Sequence, residues 1–152
     1  MNLTEKINND IKSAMKEKNK AKLEALRAIK SALLLASTEK GAKESTEAAE
    51  MKMLQKLVKQ RRDAADIYTN EGRNDLAAVE LEQVTIIENY LPEQMTEEQI
   101  RSEVDAIIKA TGANSMKDMG KVMGQANQKM AGRADGNLIA QLVKRALAHN
   151  EL

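Results

Sequence analysis

Apolar residues along the first half of the chain recur at intervals of three and four, which is the period of amphipathic helices. The first predicted helix carries this spacing at Ile7, Ile11, Ala14 and Met15. Thr4 is placed to cap it, and a short break at Lys18–Lys20 separates it from the next helix. The second predicted helix carries Leu23, Leu26, Ile29 and Leu33. We therefore expect two helices before a polar loop at Glu39–Thr46.

Two further helices are predicted before the single proline of the chain. The third runs from about Thr46 to Asn70, and Gly72 follows it as a C-cap. Its apolar stripe is Leu54, Leu57, Val58, Ala65 and Tyr68, with Arg61 on the same face. The fourth, capped by Asn74 or Asp75, aligns Ala77, Leu81, Val84, Ile87 and Leu91. Pro92 cannot continue this helix, so we expect a domain boundary there.

The second half of the chain predicts three helices with clearer start signals. Thr96 and Gln99 form a capping box, and Gly112 ends the helix that follows. Its core positions are Ile100, Val104, Ile107 and Ile108. Ser115 with Asp118 opens the next helix, which carries a methionine stripe at Met116, Met119, Met123 and Met130. The last begins at about Gly136. We predict an all-α fold, with a four-helix bundle over residues 1–92 packed with a three-helix bundle over residues 93–152.

The stretch AGRADGNL (Ala131–Leu138) admits two interpretations, a phosphate-holding loop or a joint between two helices. As a joint, Gly132 ends one helix through a positive φ, and Asp135 caps the next. The joint does not require Arg133, which would lie near the positive end of the final helix, where a phosphate is favoured. Arg133 is thus the residue at which the two interpretations can be separated.

The composition limits the kinds of catalytic and metal-binding sites that the chain can contain. The chain has no cysteine and one histidine, His149, close to its end, so disulfides, thiolate catalysis and cysteine-based zinc sites are excluded. No phosphate-binding glycine loop or metal-ligand spacing is present, and we expect no catalytic residue, metal or cofactor. No apolar run is long enough for a membrane span, and the N-terminus is too polar for a secretory signal. We therefore expect a cytoplasmic protein.

Charge is uneven although the net charge is only +1. The chain is basic up to Arg62, acidic from Asp63 to Ile100, and basic again beyond. This pattern suits either complementary helices pairing inside the fold or a basic face for a polyanion. One basic cluster is KLVKQRR (Lys56–Arg62). In the C-terminal part, the basic residues are Lys117, Lys121, Lys129, Arg133, Lys144 and Arg145.

Two features of the C-terminal part have a structural and a functional interpretation. Gly120 and Gly124 lie four residues apart, a spacing that lets two helices approach closely, and we expect such packing here. The methionine stripe suits either a buried core or an adaptable groove, and we expect the core.

Five strings together resemble the YqeY-like family: ALRAIKSAL, LVKQRRDAADIY, GRNDLAAVELEQVTIIENYLPEQM, DMGKVMG and GRADGNLIAQLVKRAL. This family shares a domain with the tail of the B subunit of the tRNA-dependent Asp/Glu amidotransferase. The resemblance implies the division into four and three helices and a link to tRNA. It also implies a family label of carbon–nitrogen ligase with glutamine as amide donor. Its motifs point to Lys121 with Lys117, to Arg133, and to Lys144 with Arg145 as residues that face RNA.

We therefore expect a non-catalytic, tRNA-associated helical module that supports aminoacylation or tRNA-dependent amidation through backbone and shape contacts. The alternative is an adaptor that docks on an aminoacyl-tRNA synthetase or amidotransferase without touching RNA. A third hypothesis is an amidotransferase-type ligase in its own right, although the chain shows no catalytic constellation. The sequence does not fix the oligomeric state.

Overall fold

The computed structural model describes residues 1–38 and 46–150. Within these ranges the chain forms seven α-helices and one short 3₁₀ turn, Met116–Asp118, and no strand. The helices are α1 (Leu3–Glu17), α2 (Lys20–Thr38), α3 (Glu47–Asn70), α4 (Asn74–Glu88), α5 (Glu97–Thr111), α6 (Met119–Lys129) and α7 (Gly136–Asn150). The all-α class is confirmed. Apart from Thr46, the predicted loop at Glu39–Thr46 lies outside the described residues.

The N-cap of α1 is Asn2, two residues before the predicted cap. Asn2 Oδ1 accepts the backbone N–H of Glu5 at 2.8 Å, and the Glu5 carboxylate accepts the backbone N–H of Asn2 at 3.3 Å. This reciprocal pair satisfies two amides that the helix itself cannot bond. The prediction of Thr4 as the cap is wrong, because Thr4 already lies inside the helix. The predicted break is confirmed at Lys18, which adopts a left-handed φ of 56°.

A tight turn joins α3 to α4. The N–H of Arg73 donates to the carbonyl of Tyr68 at 2.8 Å, and that of Gly72 donates to Thr69 at 3.0 Å. This pairing is a Schellman motif, which needs the positive φ of 76° that Gly72 supplies. Arg73 itself is the N-cap of α4 and provides no side-chain cap bond. The prediction of Asn74 or Asp75 as the cap is wrong, because the turn leads directly into the helix.

The described chain divides into two compact units, Met1–Pro92 and Glu93–Leu152. The first unit contains α1–α4, with α4 packed on both α3 and α2, and α1 on α2. Its buried core includes Ile7, Leu26, Ile29, Leu54, Val58, Val84 and Ile87. Two predicted core residues are exposed: Met15 is 56% exposed and Leu81 is 44% exposed. Each lies at the edge of its helix's apolar stripe, beyond the reach of the neighbouring helices.

The second unit is built from the 3₁₀ turn, α5, α6 and α7. The turn, α5 and α6 each contact α7. The Thr96–Gln99 capping box is confirmed, with bonds of 2.9 and 3.1 Å, and Gly112 ends α5 at φ 70°. Ser115 opens the 3₁₀ turn rather than α6, which begins at Met119. The core includes all four predicted α5 positions and Val122, Ala126, Met130, Ile139, Leu142, Val143 and Leu147. The unit therefore presents its remaining, mostly polar helix faces outward.

Candidate nucleic-acid-binding surface

The AGRADGNL stretch is a joint between α6 and α7. Helix α6 ends at Lys129, and Gly132 adopts φ 74° in the turn that follows, so it closes the turn rather than the helix. The Asp135 carbonyl accepts the N–H of Ile139 at 3.0 Å, and its carboxylate accepts that of Asn137 at 3.4 Å. The prediction that Asp135 caps the last helix is confirmed. The stretch therefore needs no ligand to explain its glycine and aspartate.

The same joint holds the first residues of the second unit. The Arg133 carbonyl accepts the N–H of Met95 at 2.9 Å, and the Gly132 carbonyl accepts Nε2 of Gln94 at 2.8 Å. Arg133 Nε donates to the carbonyl of Glu93 at 3.4 Å. We call these three bonds the strap. Sequence reasoning missed the strap, because its partners are about forty positions apart and carry no local signal.

Arg133 is therefore not independent of the joint. The strap uses only the Nε–H of Arg133, which is one of the five N–H donors of the guanidinium. The side chain forms no ion pair in the described chain. The residue is exposed. A phosphate can still be reached by the two terminal nitrogens while Nε keeps the strap closed.

All six predicted RNA-facing residues are exposed, but they differ in their partners. Lys129 forms an ion pair with Glu103 of α5 at 3.6 Å. Four of them make no ion pair within residues 1–38 and 46–150: Lys117, Lys121, Lys144 and Arg145. We call these four residues the free cations. An exposed cation without a counter-charge keeps its full attraction for an external anion.

The free cations lie on neighbouring elements. Lys117 is in the 3₁₀ turn and Lys121 is in α6, while Lys144 and Arg145 are on α7 away from its buried positions. The turn packs against both α6 and α7. Residues 106–150 contain seven lysines and arginines but only two acidic residues, Asp118 and Asp135. Each of these two carboxylates accepts a backbone N–H.

The basic cluster KLVKQRR behaves differently. Arg61 donates to Gln83 of α4 at 2.8 Å and to the Leu57 carbonyl at 3.0 Å. Arg62 pairs with Glu88 at 3.1 Å, and Lys59 pairs with Asp63 at 3.4 Å. The interpretation as helices pairing within the fold therefore applies to this cluster. Its arginines stabilise the contact of α3 with α4.

The glycines of α6 do not have the predicted role. Gly120 and Gly124 are exposed, and a Cβ placed on either would meet no atom within 4 Å. The expectation that they allow close helix packing is wrong for the described chain, because they lie on the side of α6 opposite its buried residues. The methionine stripe, by contrast, belongs to the core as predicted. Met130 is buried, and Met116, Met119 and Met123 are partly buried against the core residues.

Elsewhere, titratable groups make ordinary contacts. The Tyr90 hydroxyl donates to Asp10, and burial together with this bond raises the Tyr90 pKa. Burial, and then the nearby charge of Glu47, raise the pKa of Glu50 at the start of α3. Within the described residues no group of three or more His, Asp or Glu side chains could hold a metal ion. None of the described helices combines the length and apolarity of a membrane span.

The described residues define an all-α protein of two compact helical units. The family model described as Yqey-like protein matches residues 4–147, so the chain belongs to the YqeY-like family. A similar protein is "Altered inheritance of mitochondria protein 41, mitochondrial" of Pyrenophora tritici-repentis (strain Pt-1C-BFP), 33% identical over 82% of this chain and 69% of its own length. The protein of the same name from Clavispora lusitaniae (strain ATCC 42720) is 32% identical over 80% and 72%.

These relatives correct one expectation. Both are named as mitochondrial proteins, which contradicts the cytoplasmic localisation inferred from the sequence. The reasoning failed because a polar N-terminus and short apolar runs argue against a secretory signal and a membrane span only. They do not distinguish the cytoplasm from the interior of an organelle.

Proposed function

We propose that this protein is a non-catalytic, tRNA-associated module whose second unit binds tRNA through its phosphate backbone. The proposal keeps the predicted arrangement of a four-helix and a three-helix bundle. The observation that carries it is the contrast between two basic regions. The arginines of KLVKQRR have internal partners, whereas Lys117, Lys121, Lys144 and Arg145 have none in the described chain. The proposed surface also includes Lys129 and Arg133.

Composition favours backbone contacts over base contacts. Both aromatic residues of the chain, Tyr68 and Tyr90, lie in the first unit. Proteins that hold single strands stack bases on aromatic side chains, so residues 93–152 lack the usual means of doing so. Lysine and arginine bind phosphates without reading sequence. A folded, double-helical RNA such as tRNA offers closely spaced phosphates to such a surface.

The test is a salt titration of binding to total tRNA. Four phosphate contacts give a slope of log K against log salt of about −2.8 to −3.6, which is a loss of roughly 50–150-fold between 50 and 200 mM salt. Replacing the free cations together by glutamate should abolish this binding. The matched control replaces Lys12, Lys16, Lys20 and Lys30 of α1 and α2 by glutamate, which changes the charge equally on exposed positions of the first unit.

Two results would contradict the proposal. One is binding that does not depend on salt, and the other is binding that survives in the free-cation variant. Incubation of the purified chain with glutamine, ATP, Mg²⁺ and a misacylated tRNA belongs in the same series, because formation of amidated product would establish a ligase instead.

The adaptor hypothesis has a separate observation in its favour. The first unit exposes several large apolar side chains, each at least 44% accessible: Met15, Leu34, Leu35, Ile67, Val79 and Leu81. Exposed apolar groups of this size are typical of protein contacts when they are contiguous. Binding to a purified aminoacyl-tRNA synthetase or amidotransferase that survives nuclease and 0.5 M salt, and is lost in Leu34→Lys/Leu35→Lys, would favour the adaptor.

A further inference from the structure

Helices α3 and α4 share a stripe of side chains that runs from the core of the first unit to the turn between them. The residues recur at intervals of three and four on each helix, so they lie on one side of it. From the core to the turn, the members are Leu57, Arg61, Ala64 and Tyr68 on α3, and Ile87, Gln83, Glu80 and Leu76 on α4. We call these eight residues the hairpin stripe.

Helix α2 covers the end of the hairpin stripe that lies nearest the core. Leu57 and Ile87 pack in the first core, to which α2 also contributes. Gln83 accepts the Nε–H of Arg61 at 2.8 Å and donates to Glu24 of α2 at 3.2 Å. This contact fixes the two halves of the stripe side by side. It also shows that α2 lies across both of them at this level.

The other end of the stripe, toward the turn, is not covered in this way. Its three apolar residues are partly buried, and neither core of the described residues includes them: Ala64, Tyr68 and Leu76. Two large apolar side chains border it, Ile67 on α3 and Val79 on α4, which are 57% and 46% exposed. Apolar side chains at helical spacing on two adjacent helices form a groove that suits an amphipathic helix. A helix, α2, already occupies the core end of the same stripe.

The charges around the uncovered end determine the kind of partner that fits it. Residues 63–82 contain six acidic residues and one basic residue, Arg73, which is bound to Asp75 at 3.0 and 3.1 Å. Glu80 lies in the stripe and Glu71 lies at its turn end, and neither forms an ion pair in the described ranges. A polyanion, or the same face of a second copy, would bring like charges together. A cationic partner would instead be attracted.

We propose that the uncovered end of the hairpin stripe, bordered by Ile67 and Val79, is a docking site for a basic amphipathic helix of a partner protein. The apolar side of that helix lies between these two side chains, and its lysines or arginines pair with Glu71 and Glu80. The site belongs to the first unit, so it goes beyond the proposed tRNA contact and does not depend on it.

The probe is a synthetic amphipathic peptide of leucine and lysine, with the leucines on one side of the helix. It is titrated into the full chain at about 150 mM salt, where distant surface charges are screened. Backbone amide NMR shifts should be centred on residues 61–83. A peptide with glutamate in place of every lysine should bind at least roughly tenfold more weakly, because like charges then meet across the contact.

A pair of double variants tests the apolar part of the site. Ile67→Gln/Val79→Gln should weaken binding of the leucine–lysine peptide by roughly tenfold or more. Both side chains are exposed, so the Tm should change by no more than about 2–4 °C. The matched control is Leu34→Gln/Leu35→Gln, which alters two exposed apolar side chains of α2 outside the stripe and should leave the affinity unchanged.

A pair of single variants tests the charge. Glu80→Gln removes a carboxylate of the stripe and should weaken binding of the peptide by about two- to fivefold. The matched control is Asp66→Asn, because Asp66 is exposed on the side of α3 away from the stripe. Its affinity should stay at the wild-type value.

Four results would overturn the proposal. The first is a wild-type chain that does not bind the leucine–lysine peptide, and the second is equal binding of the two peptides. The third is wild-type affinity in Ile67→Gln/Val79→Gln. The fourth is a wild-type dimer, seen by sedimentation, that this double variant dissociates, because the face would then belong to a second copy. None of these measurements involves tRNA, so the proposed function is tested separately.

Discussion

Arg133 offers the sharpest single-residue prediction, because it has one backbone partner and a free charge. Arg133→Gln removes the 3.4 Å bond from Nε to the Glu93 carbonyl but leaves the two other strap bonds, which do not use this side chain. A long, exposed hydrogen bond contributes about 0.5 kcal/mol at most. The Tm should therefore fall by no more than about 2–4 °C.

The effect on RNA binding should be larger. Loss of one phosphate contact changes the salt slope by about 0.9, which corresponds to roughly eightfold weaker binding at 0.1 M salt relative to a 1 M reference. The assay is fluorescence anisotropy of labelled tRNA at five salt concentrations between 50 and 300 mM. Arg133→Lys keeps the charge and should retain the wild-type slope.

Gln94→Ala is the matched control. It removes the 2.8 Å strap bond to the Gly132 carbonyl without changing any charge. The Tm should fall while the salt slope stays at the wild-type value. If Arg133→Gln behaves in the same way, with an unchanged slope, then Arg133 serves the strap alone and its assignment to the RNA-binding surface is refuted.

Two further predictions concern the start of a helix and the effect of pH. Thr96→Ala removes the capping box of α5 and should lower the free energy of unfolding, measured by urea denaturation, by about 1 kcal/mol. The control is Glu98→Ala, because Glu98 is exposed in the same turn. An equal loss of stability in the control would contradict the argument. The raised pKa of Glu50 means that the folded chain binds this proton more tightly than the unfolded chain, so stability falls as pH rises through the range just above 4.5. Glu50→Gln should therefore raise the Tm slightly at pH 7 but not at about pH 3, and an equal effect at both pH values would exclude the charge as its cause.

Local signals in the sequence predicted most helix boundaries, and two misses show their limits. Thr96 with Gln99 identified the start of α5 correctly. The same signal is present at Asn2 and Glu5, three residues apart, whereas no acidic or amide residue follows Thr4 at that distance. Arg73 could not be predicted as an N-cap, because the Schellman turn before it determines where α4 begins.

The sequence identifies the basic residues of the candidate surface, but it does not show which basic residues have ion-pair or hydrogen-bond partners within the fold. A basic residue is identical in sequence whether it faces solvent or an acid on another helix. Arg62 meets Glu88 and Arg61 meets Gln83 only because α3 and α4 pack together, while the free cations face outward. In the same way, the spacing of Gly120 and Gly124 indicated a close approach, but only the exposure of this side of α6 showed that no other part of the described chain makes it.

The placement of Tyr68 and Tyr90 in the first unit has a practical consequence. The chain has no tryptophan or phenylalanine, so its near-ultraviolet absorption and intrinsic fluorescence originate entirely from residues 1–92. The far-ultraviolet signal, by contrast, reports helices in both units. Recording the two spectra during one thermal ramp would follow the loss of each unit without any label, and the difference between the two curves would belong to the unit that carries the free cations.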